Sequence, residues 1–158
     1  MRCRKAKYAG AFYPSDADSL SAQIAELLLL SKAEHLIAKM LLVPSDQSLY
    51  TGIQAATAFR SLQFNSHIIK HVVLVTQNAK APAYSCIVSN YDEFETPLGS
   101  VMLDEKTNES LSLFPNVFIA NEFHSDSLTM ELNLPFLQIC LLDFKLVPVV
   151  VGPKTVKQ

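Results

Sequence analysis

The chain lacks the cysteine pattern of a zinc knuckle or a disulfide framework. Its three cysteines, Cys3, Cys86 and Cys140, are widely spaced and odd in number, and no Cys-x-x-Cys pair occurs. Disulfide-rich secreted domains need paired cysteines, so this spacing predicts reduced thiols and a cytoplasmic protein. Cys86 and Cys140 lie in apolar runs, which predicts small core side chains.

Long apolar runs and an excess of positive charge are also absent. The leucine run at 27–30 is far too short to span a bilayer. The basic start of the chain is followed by Pro14, Ser15 and Asp16 instead of an apolar stretch, so no secretory signal is expected. A formal net charge of −2 and a pI near 6.1 give no reason to expect a nucleic acid. We therefore predict no membrane and no nucleic acid among its partners.

The sequence does contain enough apolar residues for one sizeable core. Hydrophobic residues make up 49% of the 158 residues, and the mean hydropathy of +0.21 is high for a soluble protein. Such a composition fits buried parallel strands, or an apolar surface that a partner covers. We predict a single domain at 1–152 and a tail at 153–158.

Apolar runs alternate with helical patterns, which predicts an α/β fold with a central, mostly parallel or mixed sheet flanked by helices. Asp16 can cap a first helix, and Pro148 suggests that the last strand lies at an edge. Pro135 predicts that a helix within 128–144 is kinked there or begins there. The predicted strands are 40–43, 72–75, 84–88, 116–120 and 146–151, with a surface hairpin at 96–99 and helices at 52–62 and 106–110.

Several short stretches, in the right order, resemble motifs of one family. The run AGAFYPSD at 9–16 resembles the opening motif of the Memo family, known in bacteria as AmmeMemoRadiSam system protein B. The runs ETPLG at 95–99, LPFLQ at 134–138 and DFKLVPVVVG at 143–152 match its hairpin, helix and following strand. The resemblance implies the fold of class III extradiol dioxygenases. It covers nearly the whole chain but only about the N-terminal half of the family's usual length.

The same resemblance implies that the family's three metal-ligand histidines are missing. Ser45, Ala79 and Leu128 stand at the His positions, just past the strand ends where catalytic loops of α/β proteins lie. Imidazole and thiolate supply the donors of such sites, and alanine and leucine have none. The flanking residues that keep their family places are Pro44, Tyr50, Gly52 and Glu131. We therefore expect no metal and no cofactor.

Two functions follow from these residues. The first is a non-catalytic Memo-like module, a pseudoenzyme of the bacterial cytoplasm that binds or assembles, as a homo-oligomer or with a protein partner and with no assigned small-molecule ligand. Its vestigial cleft would be lined by Ser45, Asp46, Tyr50, Ala79, His124, Leu128 and Glu131. The alternative is a metal-dependent enzyme, oxidoreductase or hydrolase-like, whose rearranged site uses Asp46, His124 and Glu131. The enzyme requires these three side chains to converge in one pocket.

Two of these candidates also have plain structural interpretations. A lone histidine such as His124 is more often a surface or hydrogen-bonded residue than a ligand. Glu131 can accept hydrogen bonds from backbone groups within the cleft instead of transferring protons. The structural interpretation is preferred for both.

Overall fold

The computed structural model describes residues 1–32, 38–44 and 51–153 of the chain. Its mixed sheets are flanked by helices, which confirms the α/β class predicted from the sequence. The strands are β1 (Cys3–Arg4), β2 (His71–Gln77), β3 (Cys86–Val88), β4 (Glu93–Thr96), β5 (Gly99–Met102), β6 (Val117–Ile119) and β7 (Lys145–Val151). The helices are α1 (Ala17–Leu30), α2 (Gly52–Gln63), α3 (Glu105–Ser112), α4 (Glu122–Ser125) and α5 (Leu128–Cys140). None of these helices is long and apolar enough to cross a bilayer.

Four strands form the larger sheet, in the order β2-β7-β3-β6. Strand β7 pairs in parallel with β2 and antiparallel with β3, while β3 and β6 are parallel. Strand β7 is therefore an interior strand, and the edge position predicted from Pro148 is wrong. The ladder with β3 covers only residues 149–151, so Pro148 lies outside it and its missing N–H removes no bond there.

The predicted hairpin exists, as β4 and β5 of a smaller sheet with the order β1-β4-β5. Gly99 has a φ of 113°, which glycine adopts without a steric penalty. One face of the hairpin is buried rather than superficial, because Phe94 and Val101 belong to the core. The Thr96 hydroxyl donates to Gln138 Oε1 at 2.6 Å, and Gln138 Nε2 donates to the Gly99 carbonyl at 3.1 Å. These bonds tie the hairpin to α5.

The core lies where α1, α2 and α5 pack together against the larger sheet. The predicted cap is confirmed, because the Asp16 carboxylate accepts the N–H groups of Asp18 and Ser19. The rings of Phe59 and Phe136 stack with centroids 5.2 Å apart, joining α2 to α5. Ile53, in the first turn of α2, is 40% exposed. The buried face of α1 carries Leu20, Ile24 and Leu28.

One predicted strand is absent, another begins later than predicted, and one of the two alternatives for the last helix is excluded. Residues 40–43 form no strand, and Met40 and Leu42 are 90% and 97% exposed. An apolar run forms a strand only where a neighbouring strand provides hydrogen-bond partners for its backbone N–H and C=O groups. No described residue forms such a ladder with this run. Strand β3 starts at Cys86 because Tyr84 has a φ of 60°, outside the extended region. Helix α5 starts at Leu128, so a helix beginning at Pro135 is excluded.

Candidate functional site

An open cleft of about 460 Å³ lies between the loop after β2 and the start of α5. Residues 77–80 line one side, and 122, 123 and 126–129 line the other. The structure thus brings Ala79 and Leu128 to one cleft. Three other predicted site residues, Ser45, Asp46 and Tyr50, lie outside the described residues, as does the tail from 154 onward.

Backbone bonds hold the β2 loop against the end of β7. Asn78 donates its N–H to the Val151 carbonyl at 3.0 Å, and its side-chain oxygen accepts the Lys80 N–H at 2.9 Å. A Cβ on Gly152 would lie 1.8 Å from the Pro82 carbonyl oxygen, so only glycine allows this close approach. The loop that carries Ala79 is therefore fixed from both ends.

The opposite wall is the end of α4 and the first turn of α5. Ser127 caps α5, because its hydroxyl accepts the Met130 N–H at 3.4 Å. The Lys7 ammonium pairs with the Asp126 carboxylate, and this hydrogen bond lowers the pKa of Asp126. Glu122 also lines this wall. Sequence reasoning missed both acids, although they flank His124 at a spacing of one helical turn.

The described residues of the cleft do not form a donor set that fits a metal ion. Ala79 and Leu128 have no donor atoms, and the carboxylate of Asp126 is engaged by Lys7. Across 1–32, 38–44 and 51–153 no group of three His, Cys, Asp or Glu side chains could hold a metal. Protein zinc sites use three or four such ligands.

Glu131 lies in a buried ion pair outside the cleft lining. Its Oε2 lies 2.7 Å from Arg4 Nη1, and both side chains are at most 1% exposed. The two groups form an ion pair, but the Nη1–H direction does not meet the geometry of a hydrogen bond. The carboxylate also accepts the N–H groups of Lys7 and Tyr8 at 3.1 and 2.8 Å and the Tyr13 hydroxyl at 2.6 Å. Burial, together with this last bond, raises the pKa of Tyr13. With four donors around it, Glu131 anchors the N-terminal segment to α5 and is not free for acid–base work.

His124 is completely buried and does not line the cleft. Its ring lies 6.2 Å from the Phe94 ring, and among the described residues neither ring nitrogen has a hydrogen-bond partner. Burial lowers the pKa of His124 to about 4, although nearby backbone groups of Ile87 and Val88 act in the opposite direction. His124 is therefore not a surface residue, and its place in the core favours the structural interpretation over a role as a ligand. Its backbone is bonded: the carbonyl accepts from Arg4 Nε at 2.7 Å and from the Ser127 N–H at 3.2 Å, and the N–H donates to the Asn121 carbonyl at 3.0 Å.

The contact between His71 and Asp104 was not predicted from the sequence. His71 Nδ1 lies 2.8 Å from Asp104 Oδ2, and Asp104 also caps α3 through Thr107. His71 is the first residue of β2 and Gln77 the last, so this pair lies at the opposite end of the strand from the cleft. The pair joins the start of β2 to α3 and adds nothing to the cleft.

Comparison with known proteins identifies the family. The model described as Memo-like protein matches residues 4–158. The chain belongs to the Memo-like family. It is 30% identical to a MEMO1 family protein of Aquifex aeolicus over 152 residues, which cover 96% of this chain and 55% of the relative.

Relatives from other lineages show the same partial coverage. A MEMO1 family protein of Methanobrevibacter smithii is 31% identical over 166 residues, covering 97% of this chain and 58% of the relative. Protein MEMO1 of Homo sapiens is 25% identical over 157 residues, covering 95% and 52%. The chain thus spans about half the length of the curated relatives that it matches. These relatives come from a bacterium, an archaeon and a vertebrate, so a bacterial origin and a cytoplasmic location stay predictions.

Proposed function

We propose that this Memo-like chain is a non-catalytic binding and assembly module. The observation that carries the proposal is that Ala79 and Leu128 line the cleft where the family resemblance implies histidines. The cleft has polar walls, and the described residues include no group of three side chains that could hold a metal, which supports the proposal. A binding role needs only the shape and the polar groups.

The enzyme alternative requires Asp46, His124 and Glu131 to act together. His124 is sealed in the core, and Glu131 is saturated by hydrogen bonds to the N-terminal segment. Asp46 lies outside the described residues and would act without the other two. A general acid or base must reach its substrate, which neither buried side chain does. These positions support the non-catalytic proposal.

Metal retention tests this proposal directly. Untagged protein is incubated with Fe²⁺, Cu²⁺ or Zn²⁺, desalted and analysed by mass spectrometry for bound metal. We expect far less than one ion per chain, because the cleft offers no imidazole or thiolate. The double variant Ala79→His/Leu128→His is the matched control and should retain more Zn²⁺ than the parent chain. One tightly held ion per parent chain would contradict the proposal.

Assembly with a second copy is supported by the exposed edge of β2. No described residue pairs with that edge, and Val73 and Val75 are 59% and 57% exposed. The strand HVVLVTQ contains no Lys, Pro, Asp or Glu, the residues that usually keep an edge from pairing. Antiparallel pairing of two copies about Leu74 would place Val73 opposite Val75 without opposing like charges.

Light scattering after gel filtration measures this assembly. We expect a dimer mass for the parent chain and a monomer mass for Val75→Lys, because a lysine on the edge strand opposes strand pairing. Leu113→Lys is the matched control, since Leu113 is 85% exposed at the end of α3, which packs against β3, β6 and β7. A parent chain that stays monomeric at high micromolar concentration would argue against the second copy.

A further inference from the structure

Among the described residues, one cation and one anion at the cleft, Lys80 and Glu122, form no close ion pair, although the charge of Lys80 helps to lower the pKa of Asp126. Four charged side chains are associated with it: Lys7 and Asp126, which pair with each other, and Lys80 and Glu122. Among the described residues, neither Lys80 nor Glu122 forms an ion pair. Both side chains are exposed, so their charges are accessible to a ligand from solution.

We infer that the cleft binds a small zwitterion with one carboxylate and one ammonium group, an inference that rests on the proposed binding function. The carboxylate pairs with Lys80, and the ammonium group pairs with Glu122. A singly charged anion would be attracted by Lys80 but repelled by Glu122. A singly charged cation would be attracted by Glu122 but repelled by Lys80. An uncharged ligand would form no ion pair with either side chain. Only a ligand of both signs satisfies the whole cleft.

The rest of the cleft suits the carbon chain between two such charges. Phe123 and Leu128 line it with apolar surface, which favours contact with methylene groups. The bond from the Lys80 N–H to Asn78 fixes the backbone that presents the lysine. The volume of about 460 Å³ falls within the range typical of small-molecule sites.

A series of ω-amino acids tests the inference and the spacing of the two charges. Glycine, β-alanine, 4-aminobutyrate and 6-aminohexanoate are titrated by calorimetry into metal-free, EDTA-treated protein at low salt, where charge pairs are least screened. Acetate and propylamine are the singly charged controls. We expect one chain length to bind best, at least about tenfold more tightly than either control.

Variants separate binding in the cleft from general attraction. Lys80→Met and Glu122→Gln should each weaken the best probe by about fivefold or more, since each removes one charge-assisted contact. The exposed residues Lys106 and Glu109 on α3 serve as matched controls, and Lys106→Met and Glu109→Gln should leave binding unchanged.

Three outcomes would overturn the inference: no binding of any zwitterion, equal binding of the single charges, or indifference to both cleft variants. These failures differ from failure of the proposed function, which would appear as metal retention in the separate metal measurement.

Discussion

Glu131→Ala is expected to lower the free energy of unfolding by about 3–5 kcal/mol, the usual cost of breaking a buried ion pair. The substitution leaves the Arg4 guanidinium buried, with a side chain only 1% exposed, and without its counter-charge. It also removes the acceptor of the Tyr8 N–H and of the Tyr13 hydroxyl. Each buried donor left unpaired adds to the cost. Urea unfolding followed by circular dichroism measures the change.

The exposed pair of Lys5 and Glu95 is the matched control. Their side chains are 75% and 39% exposed, so Glu95→Ala should cost less than about 1 kcal/mol. The double variant Arg4→Met/Glu131→Met should be less destabilised than Glu131→Ala, because no unpaired charge then remains in the core. Equal losses for Glu131→Ala and Glu95→Ala would show that Glu131 does not anchor the N-terminal segment.

The ion pair between Arg4 and Glu131 also holds one wall of the cleft in place. Glu131 lies in the first turn of α5, directly after the cleft residues Leu128 and Thr129. Arg4 donates to the carbonyls of His124, Ser125 and Ser127, which connect α4 to α5. The same buried ion pair thus fixes one wall of the cleft. Glu131, which the resemblance places at a family acid position, thus has a structural role in this chain.

Local signals were read correctly from the sequence because they depend on nearby residues. The Asp16 cap and the hairpin at 96–99 each depend on a few consecutive positions. The prediction from Pro148 was wrong because a proline removes a hydrogen bond only where the neighbouring strand reaches it. The length of that neighbouring strand is set by β3, which pairs only with residues 149–151. The run at 40–43 misled because burial depends on a partner strand elsewhere in the chain.

The site was harder to predict for the same reason. Resemblance to family motifs placed Ala79 and Leu128 at strand and helix ends, and the fold brings these ends together. The partners of Glu131 lie more than a hundred residues away in sequence, at Arg4, Tyr8 and Tyr13. No periodicity or spacing links such distant positions. The charges of the cleft walls were therefore missed, although each residue is visible in the sequence.

Acidification is expected to destabilise the chain through His124, by about 2 kcal/mol at pH 5 and about 3 kcal/mol at pH 4, relative to pH 7. Burial lowers the pKa of His124 in the folded state to about 4, below its ordinary value of 6.5. The unfolded chain therefore takes up the proton first as the pH falls. The stabilisation is fully present above pH 6.5 and is lost as the pH falls through the folded pKa.

His124→Phe tests the assignment, because phenylalanine keeps a ring beside Phe94 and cannot titrate. The variant should show a much flatter dependence of unfolding free energy on pH between 6.5 and 5. Hydrogen bonds from Thr107 and Lys7 lower the pKa values of Asp104 and Asp126, so these carboxylates take up protons at still lower pH and do not obscure that window. If the parent chain were equally stable at pH 7 and pH 5, His124 would have to be hydrogen-bonded or hydrated in solution. That result would contradict the description of His124 as a buried imidazole without hydrogen-bond partners.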